Sequence, residues 1–188
     1  MAPPRDEHSL TTIIDLHAEL PNGPSKYHDP TLAKEEEEIL EHYKAFSKFC
    51  NVDCLTNPDK GKEFYDLNEC MYFDLMGPVG RGGFEKHYDV ITPYLADATS
   101  TFENLEIVAV SKTFGYSTMI QRLYGKTAEG DAFDFRFRLT SLLRKTEGKW
   151  KYIHEHFSFP IDMKTQKGDL TSGKGSESTE LDVKVGGT

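Results

Sequence analysis

The chain is poor in the residues that announce disulfide, metal or nucleotide chemistry. Its three cysteines, Cys50, Cys54 and Cys70, form an odd and sparse set, which excludes a disulfide framework. Cys50 and Cys54 would share a helix face at i,i+4, but two thiols without further ligands make a poor zinc site, so reduced structural thiols are expected. No strand-like run leads into G-x-G-x-x-G, and GRGG at 80–83 lacks a Walker lysine, which argues against a dinucleotide fold. No apolar run approaches the length of a membrane span, and MAPPRDEHSL carries no secretory signal. A soluble, cytoplasmic protein is expected. Positive charge is also short: 22 Lys and Arg against 31 Asp and Glu leave a net charge of −9. That balance disfavours nucleic acid and anionic membranes as partners, since both are polyanions.

Aromatics, by contrast, are plentiful, with twelve Phe and nine Tyr in 188 residues, enough for one domain with a sizeable core. Residues 1–28 hold Pro3, Pro4, Pro21 and Pro24 around one apolar cluster, LTTIIDLHAEL, and read as an arm with one short helix or strand. Residues 166–188 are rich in Gly, Ser, Lys and Asp and have little to bury, so a disordered tail is expected. The body, 29–165, opens with Asp29 placed to cap a helix and Pro30 at its first position. Ile39, Tyr43, Phe46 and Cys50 recur at helical spacing and give one buried face. Glu35 to Glu38 read as a solvated face near the positive end of the helix dipole. PDKGKEFYDLNE predicts a short second helix, and CMYFDLMGP a strand ending in a Gly-Pro turn. GGFEKHYDVITPYLADA then places Phe84, His87, Tyr88, Ile91 and Leu95 on one helical face, with Pro93 kinking it.

After that the period changes from helical to alternating. FENLEIVAV, GYSTMIQRLYGKT, DAFDFRFRLTSLLRK and KWKYIHEHFSF are four strand-like runs, separated by turns of which AEGD and TEGK are clearest. The pattern predicts an α+β domain, helices packed on one face of an antiparallel sheet.

Two of these strands have an unusual face. In DAFDFRFRLT, Phe133, Phe135, Phe137 and Leu139 share one side, and Asp134, Arg136, Arg138 and Thr140 the other. In KWKYIHEHFS, strict alternation puts Trp150, Tyr152, His154, His156 and Ser158 together. The TEGK hairpin would set the two polar faces side by side. Aromatics among a few polar groups suit a concave pocket better than a wet surface, and His exchanges protons near neutral pH. The His-x-His pair admits three readings: hydrogen-bonded structural histidines, ligands of a metal with Asp74 or His87 as a third, or an acid/base pocket without cofactor. Spacing does not choose among them.

FRFRLTSLLRKTEGKWKYIHEHFSFP resembles the C-terminal hairpin of the SnoaL-like branch of the nuclear transport factor 2-like superfamily. YFDLMGPVGRGGFEKHY is similar to that family's strand, turn and helix start. The resemblance spans about residues 30–163 and implies a cone: a curved antiparallel sheet wrapped against three helices around a pocket. It also implies a homodimer through the convex sheet face, to which Phe133, Phe135, Phe137, Phe157 and Phe159 are assigned. The superfamily includes ketosteroid isomerase, whose general base is an Asp ahead of a Gly- and Pro-containing turn; Asp74 sits at the similar position. Tyr43 is similar to its oxyanion tyrosine. The second oxyanion donor, a protonated Asp, has no identifiable match. His154 and His156 also resemble a His-x-His in the association domain of calmodulin-dependent kinase, which binds without turnover.

The expectation is therefore a cofactor-independent, metal-free isomerase, cyclase or dehydratase acting on a small carbonyl-containing, aromatic or polycyclic metabolite. Asp74 is the expected base, and His154, His156, Tyr43 and Tyr152 the proton donors. Arg136 and Arg138 are candidate anion stabilisers, with Trp150, Thr140 and His87 as further substrate-binding residues. The alternative is a non-catalytic ligand-binding or oligomerisation module on the same fold.

Overall fold

The computed structural model describes residues 4–77, 79–95, 97–127 and 129–173. Asp29 caps a 3-10 turn, Pro30–Leu32, by accepting the Thr31 N–H, and the chain runs on into α2 (Ala33–Lys48). Helical spacing puts Ile39, Leu40, Tyr43 and Phe46 in the core. Burial of each such side chain contributes roughly 1.5–3 kcal/mol. The acidic first turn is less solvated than its charge suggests. Glu35 and Glu36 are buried, and Glu36 accepts from the Ala109 N–H (3.3 Å) and faces His28 Nδ1 (2.8 Å). It satisfies backbone that the neighbouring strand leaves open. A π-helical turn, Phe49–Asp53, follows, and then a 3-10 helix, Pro58–Phe64, where a short second helix was expected. β1 (Met71–Phe73), β2 (Val79–Arg81) and α3 (Phe84–Leu95) come next, with Pro93 inside α3. The expected inward position of the Leu95 side chain lies outside what is described.

The four long strands are β3 (Ala98–Ser111), β4 (Phe114–Lys126), β5 (Ala132–Thr146) and β6 (Lys149–Ser158). The sheet order is β2-β1-β6-β5-β4-β3, and the domain is α+β. β3 to β6 form an antiparallel meander, but β1 joins β6 in parallel, so the sheet is mixed where an antiparallel one was expected. A parallel neighbour needs a long crossover, which α3 and the first three meander strands supply.

Register decides which side of each strand faces the helices. β4 and β5 pair without interruption from Phe114↔Arg144 to Lys126↔Ala132. One face of that pair therefore carries Phe133, Phe135, Phe137, Leu139 and Leu143, together with Ser117, Met119 and Gln121. Glu147 (φ 53°) and Gly148 (φ 79°) make the tight turn into β6, a left-handed pair that suits the strand twist. On β6, Leu143 pairs with Tyr152 but Leu142 with His154, so Ile153 is an extra residue, a β-bulge. The bulge resets the alternation: Trp150 and Tyr152 point to the core before it, and Glu155, Phe157 and Phe159 point inward after it.

Both termini pack on the body. Arg5 exchanges both backbone hydrogen bonds with Phe102 at 2.8 Å, so the arm pairs with the edge of β3. α1 (Ile13–Ala18), capped by Thr12, sends Ile13 and Leu16 into the core beside Leu10. At the other end, β7 (Ile161–Asp162) and β8 (Lys167–Gly168) form a hairpin. The chain then returns so that Leu170 C=O accepts the Arg136 N–H (2.8 Å) and Ser172 Oγ donates to Arg136 C=O (2.7 Å). Residues 166–173, placed in the tail from composition, thus close the edge of β5; the rest of that tail lies outside the described residues. The three cysteines are free thiols. Among the described residues no helix is long and apolar enough to cross a membrane.

Candidate functional site

Between the inner sheet face and the helices lies a cavity of about 480 Å³. That volume suits a drug-sized molecule. Phe133, Phe135, Phe137, Phe157 and Phe159 line it. This reverses their expected place in a dimer interface, and the physical reason is simple. In a strand with one aromatic and one charged face, the aromatic face goes to the side that excludes water.

Few polar groups interrupt this wall, and they are specific. Asp74 follows β1 directly, at the start of the turn closed by Gly77 N–H to Asp74 C=O (3.1 Å). Its Oδ1 accepts the Met76 N–H (2.7 Å), and its Oδ2 meets His87 Nε2 at 3.2 Å. The two side chains are 10% and 6% exposed. His87 comes from the first turns of α3 and stacks on Tyr72, centroids 4.1 Å apart and planes 13° apart. A ring held by a carboxylate at one nitrogen and a flat face against an aromatic has its orientation set.

Glu155 is the third ionisable group. The parallel register pairs Tyr72 with Glu155, which brings the Glu to the same inner face, one step from Asp74. It is 3% exposed and accepts from Ser141 Oγ at 3.3 Å. Burial raises its carboxyl pKa to about 8. Hydrogen bonds from Ser141 and Tyr65 pull against that rise, and the charge of Asp74 adds to it. Burial therefore favours the neutral carboxylic acid, the form able to donate a hydrogen bond. Behind it, the hydroxyl of Tyr43 bonds Ser117 Oγ, and burial raises the tyrosine to about 12.

Of the residues expected in the pocket, Asp74 and His87 line it and touch each other. Tyr43, Tyr152 and Trp150 face inward but sit in the core behind the cavity: Tyr152 packs on Tyr43 (5.8 Å), and Trp150 Nε1 donates to Glu38 (3.2 Å). The other five lie on the opposite, outer face. His154 bonds the Met71 carbonyl through Nδ1 (3.0 Å), and His156, exposed, pairs across from Thr140. Arg136 turns to Glu103 (3.4 Å) and Asp134 (3.8 Å), and Arg138 is exposed. The metal reading would need ligands from both faces of the sheet. Among the described residues no group of three His, Cys, Asp or Glu is arranged to hold a metal ion.

Glu155 and Gln121 were not foreseen. Glu155 falls between the two His in sequence, and its signal was a lone carboxylate on a face otherwise holding Lys151, Ile153, Phe157 and Phe159. Gln121 had a similar one, a single amide in the alternating run YSTMIQRL.

A curved sheet closed by helices over one aromatic cavity with a few buried ionisable groups defines a small-molecule pocket protein. The SnoaL-like domain matches residues 67–162, just over half the chain, and the chain belongs to that family. No curated protein matches the sequence. Among solved structures, an NTF2-like protein of unknown function from Pseudomonas putida KT2440 is 18% identical, with TM-score 0.57 over 73% of this chain and 94% of its own. A protein assigned as a scytalone dehydratase from Novosphingobium aromaticivorans is 13% identical, TM-score 0.58, over 76% and 95%. The association domain of C. elegans CaMKII is 13% identical, TM-score 0.53, over 69% and 99%. At these identities the likeness is one of fold.

Proposed function

We propose that this chain is a cofactor-independent acid/base enzyme, an isomerase, cyclase or dehydratase, acting on a small apolar molecule with a carbonyl group. One observation carries the reading: two carboxyl groups share an aromatic cavity in different roles, Asp74 bound to His87 and Glu155 held neutral by burial. Removing a proton beside a carbonyl needs a base and a donor for the oxygen that gains charge. Asp74, positioned by Met76 N–H and His87, takes the proton. Glu155 donates to the carbonyl oxygen, and its hydrogen bond strengthens as the enolate forms. The Phe wall excludes water, which makes both interactions stronger than in solution. Asp74→Asn keeps the shape and removes the basic lone pair. It should lower turnover by roughly a hundredfold or more, with ligand affinity within a few fold. His156→Ala, on the outer face, should leave turnover nearly unchanged. Metabolites extracted from cells making each form provide the readout. A wild-type-dependent product that persists at full level with Asp74→Asn removes Asp74 as the base.

A second reading, a binding or assembly module without turnover, draws on the outer position of His154 and His156. There they stand with Phe73, which is 5.7 Å and 5.2 Å from their rings, on the face that also carries Tyr116, Ile120 and Leu142. We place the expected homodimer contact on this mixed apolar and polar face. A module of this kind would show no product to lose, and its outer-face variants would change oligomer size alone.

A further inference from the structure

A glutamine interrupts the aromatic wall at a distance from Asp74, His87 and Glu155. Gln121 lines the cavity, is only 7% exposed, and stands opposite Phe137 on β5 and Phe102 on β3. Burying an amide that meets no partner is costly, and Leu or Met would fill the same space without that cost. Gln121 Nε2 donates to Ser100 Oγ at 2.7 Å. No described residue hydrogen-bonds its Oε1. One end of the amide is thus tied down and the other is left to the cavity.

The tie is itself anchored. Asn51 Oδ1 accepts the Ser100 N–H (2.7 Å) and its Nδ2 donates to the Ser100 C=O (3.1 Å), which fixes Ser100 on both sides. Asn51 Nδ2 also donates to Glu7 Oε2 (2.7 Å), as does Ser47 Oγ (3.0 Å). A chain of bonds therefore runs from a carboxylate in the N-terminal arm, through Asn51 at the helix end and Ser100 on β3, to the cavity wall. Hydrogen bonds to a carboxylate are among the stronger ones, so the far end of the chain is held in place. An immobile polar group in an apolar wall selects for a partner, since a ligand that lacks one leaves it unpaired.

The register sets the spacing. Gln121 lies opposite Phe137 and Glu155 opposite Ser141 on β5, so the two are two strands and four residues apart. That is about 10 Å across the sheet and about 13 Å along it. On an inward-curving face both side chains reach toward the middle and shorten the gap. The remaining span matches a rigid ligand roughly the length of a three- or four-ring fused system, which the cavity volume accommodates.

We propose that the cavity takes an elongated apolar ketone with a hydroxyl at its far end, and that Gln121, oriented through Ser100, Asn51 and Glu7, reads that hydroxyl. This rests on the cavity being the substrate site, with the carbonyl at the Asp74, His87 and Glu155 end. A hydroxyl donates to the free Oε1 while the rings occupy the Phe wall. Gln121 is then a specificity-determining residue, and Glu7, Asn51 and Ser100 are positioning residues for it.

The test is a matched pair of fluorescent probes, 2-acetylphenanthrene and its 7-hydroxy derivative, titrated into the full chain. The wild type should bind the hydroxy ketone about tenfold more tightly or better, the scale of one buried polar group paired against unpaired. Gln121→Met, of similar length and without a polar end, should abolish the preference while keeping affinity for the plain ketone. Ser100→Ala, which frees the amide, should reduce it by severalfold. Equal affinity of the wild type for both probes, no binding of either, or a preference unchanged in Gln121→Met would each overturn the proposal. Repeating the titration with Asp74→Asn separates it from the catalytic reading. A wild type that makes no product, or an Asp74→Asn variant that makes it at full level, fails that reading alone where the preference is kept, and a turning-over protein without the preference fails this one alone.

Discussion

Replacing Glu155 by Gln removes a cavity carboxyl whose neutral form burial favours, and the consequence is measurable without a substrate. The folded carboxyl titrates at about 8, against an ordinary 4.5 when the chain is unfolded. Between those two values the native state keeps a proton that the unfolded state has lost. Stability contributed by the neutral carboxyl is therefore fully present below about pH 4.5 and declines as pH rises toward 8. The slope from one such group is at most about 1.4 kcal/mol per pH unit. Glutamine keeps the shape and accepts the same bond from Ser141 Oγ, but does not titrate. Urea unfolding of both proteins at pH 5, 6, 7 and 8 should show the variant gaining on the wild type by roughly 1 kcal/mol per unit, with the gap levelling off above pH 8. Buried His42, whose pKa falls to about 3 through desolvation, is common to both proteins and cancels in the difference. Parallel stability curves would refute the reasoning: Glu155 would then be ionised at neutral pH and unable to donate to a carbonyl oxygen.

The two faces of the sheet make opposite predictions for an added charge. Phe135→Asp puts a carboxylate in the cavity wall and should cost several kcal/mol of stability and abolish binding of apolar probes; Tyr116→Asp, on the outer face, should leave probe binding intact and weaken the proposed dimer. Calorimetric melting, probe fluorescence and light scattering report these, and a Phe135→Asp protein of normal stability that merely dissociates would return the Phe stripe to an interface. Deleting residues 1–28 removes buried Leu10, Ile13 and Leu16 and the Arg5 pairing with β3. It should lower the melting temperature by at least ten degrees or prevent folding, with large apolar burial lost at once. A melt unchanged by the deletion would mean that the arm contributes no net stability.

Local chemistry carried much of this fold without help from tertiary contacts. Asp29 and Pro30 mark a helix start because a cap and a fixed φ act within a few residues. Glu147 and Gly148 turn the β5–β6 hairpin because a two-residue loop between alternating strands admits few conformations. Asp74 was placed ahead of its turn, and the α2 core face of Ile39, Tyr43 and Phe46 was plain from its period. Alternation also divided β5 correctly into a Phe side and an Arg side. What periodicity cannot say is which side faces inward, because a period of two is blind to the direction of the core. Resemblance set the polar side inside; packing against the helices put the Phe side there. One extra residue, Ile153, then carried the change into β6, sending His154 and His156 outward and Glu155 inward. A bulge is settled by pairing with the neighbouring strand and by the curvature of the whole sheet, so no local signal announces it. The meeting of Asp74 with His87 depends in the same way on how α3 settles over β1, and the line from Glu7 to Gln121 on four separate segments converging. Elements and their faces were set by neighbours in sequence, whereas the polar groups that share the cavity were chosen by neighbours in space.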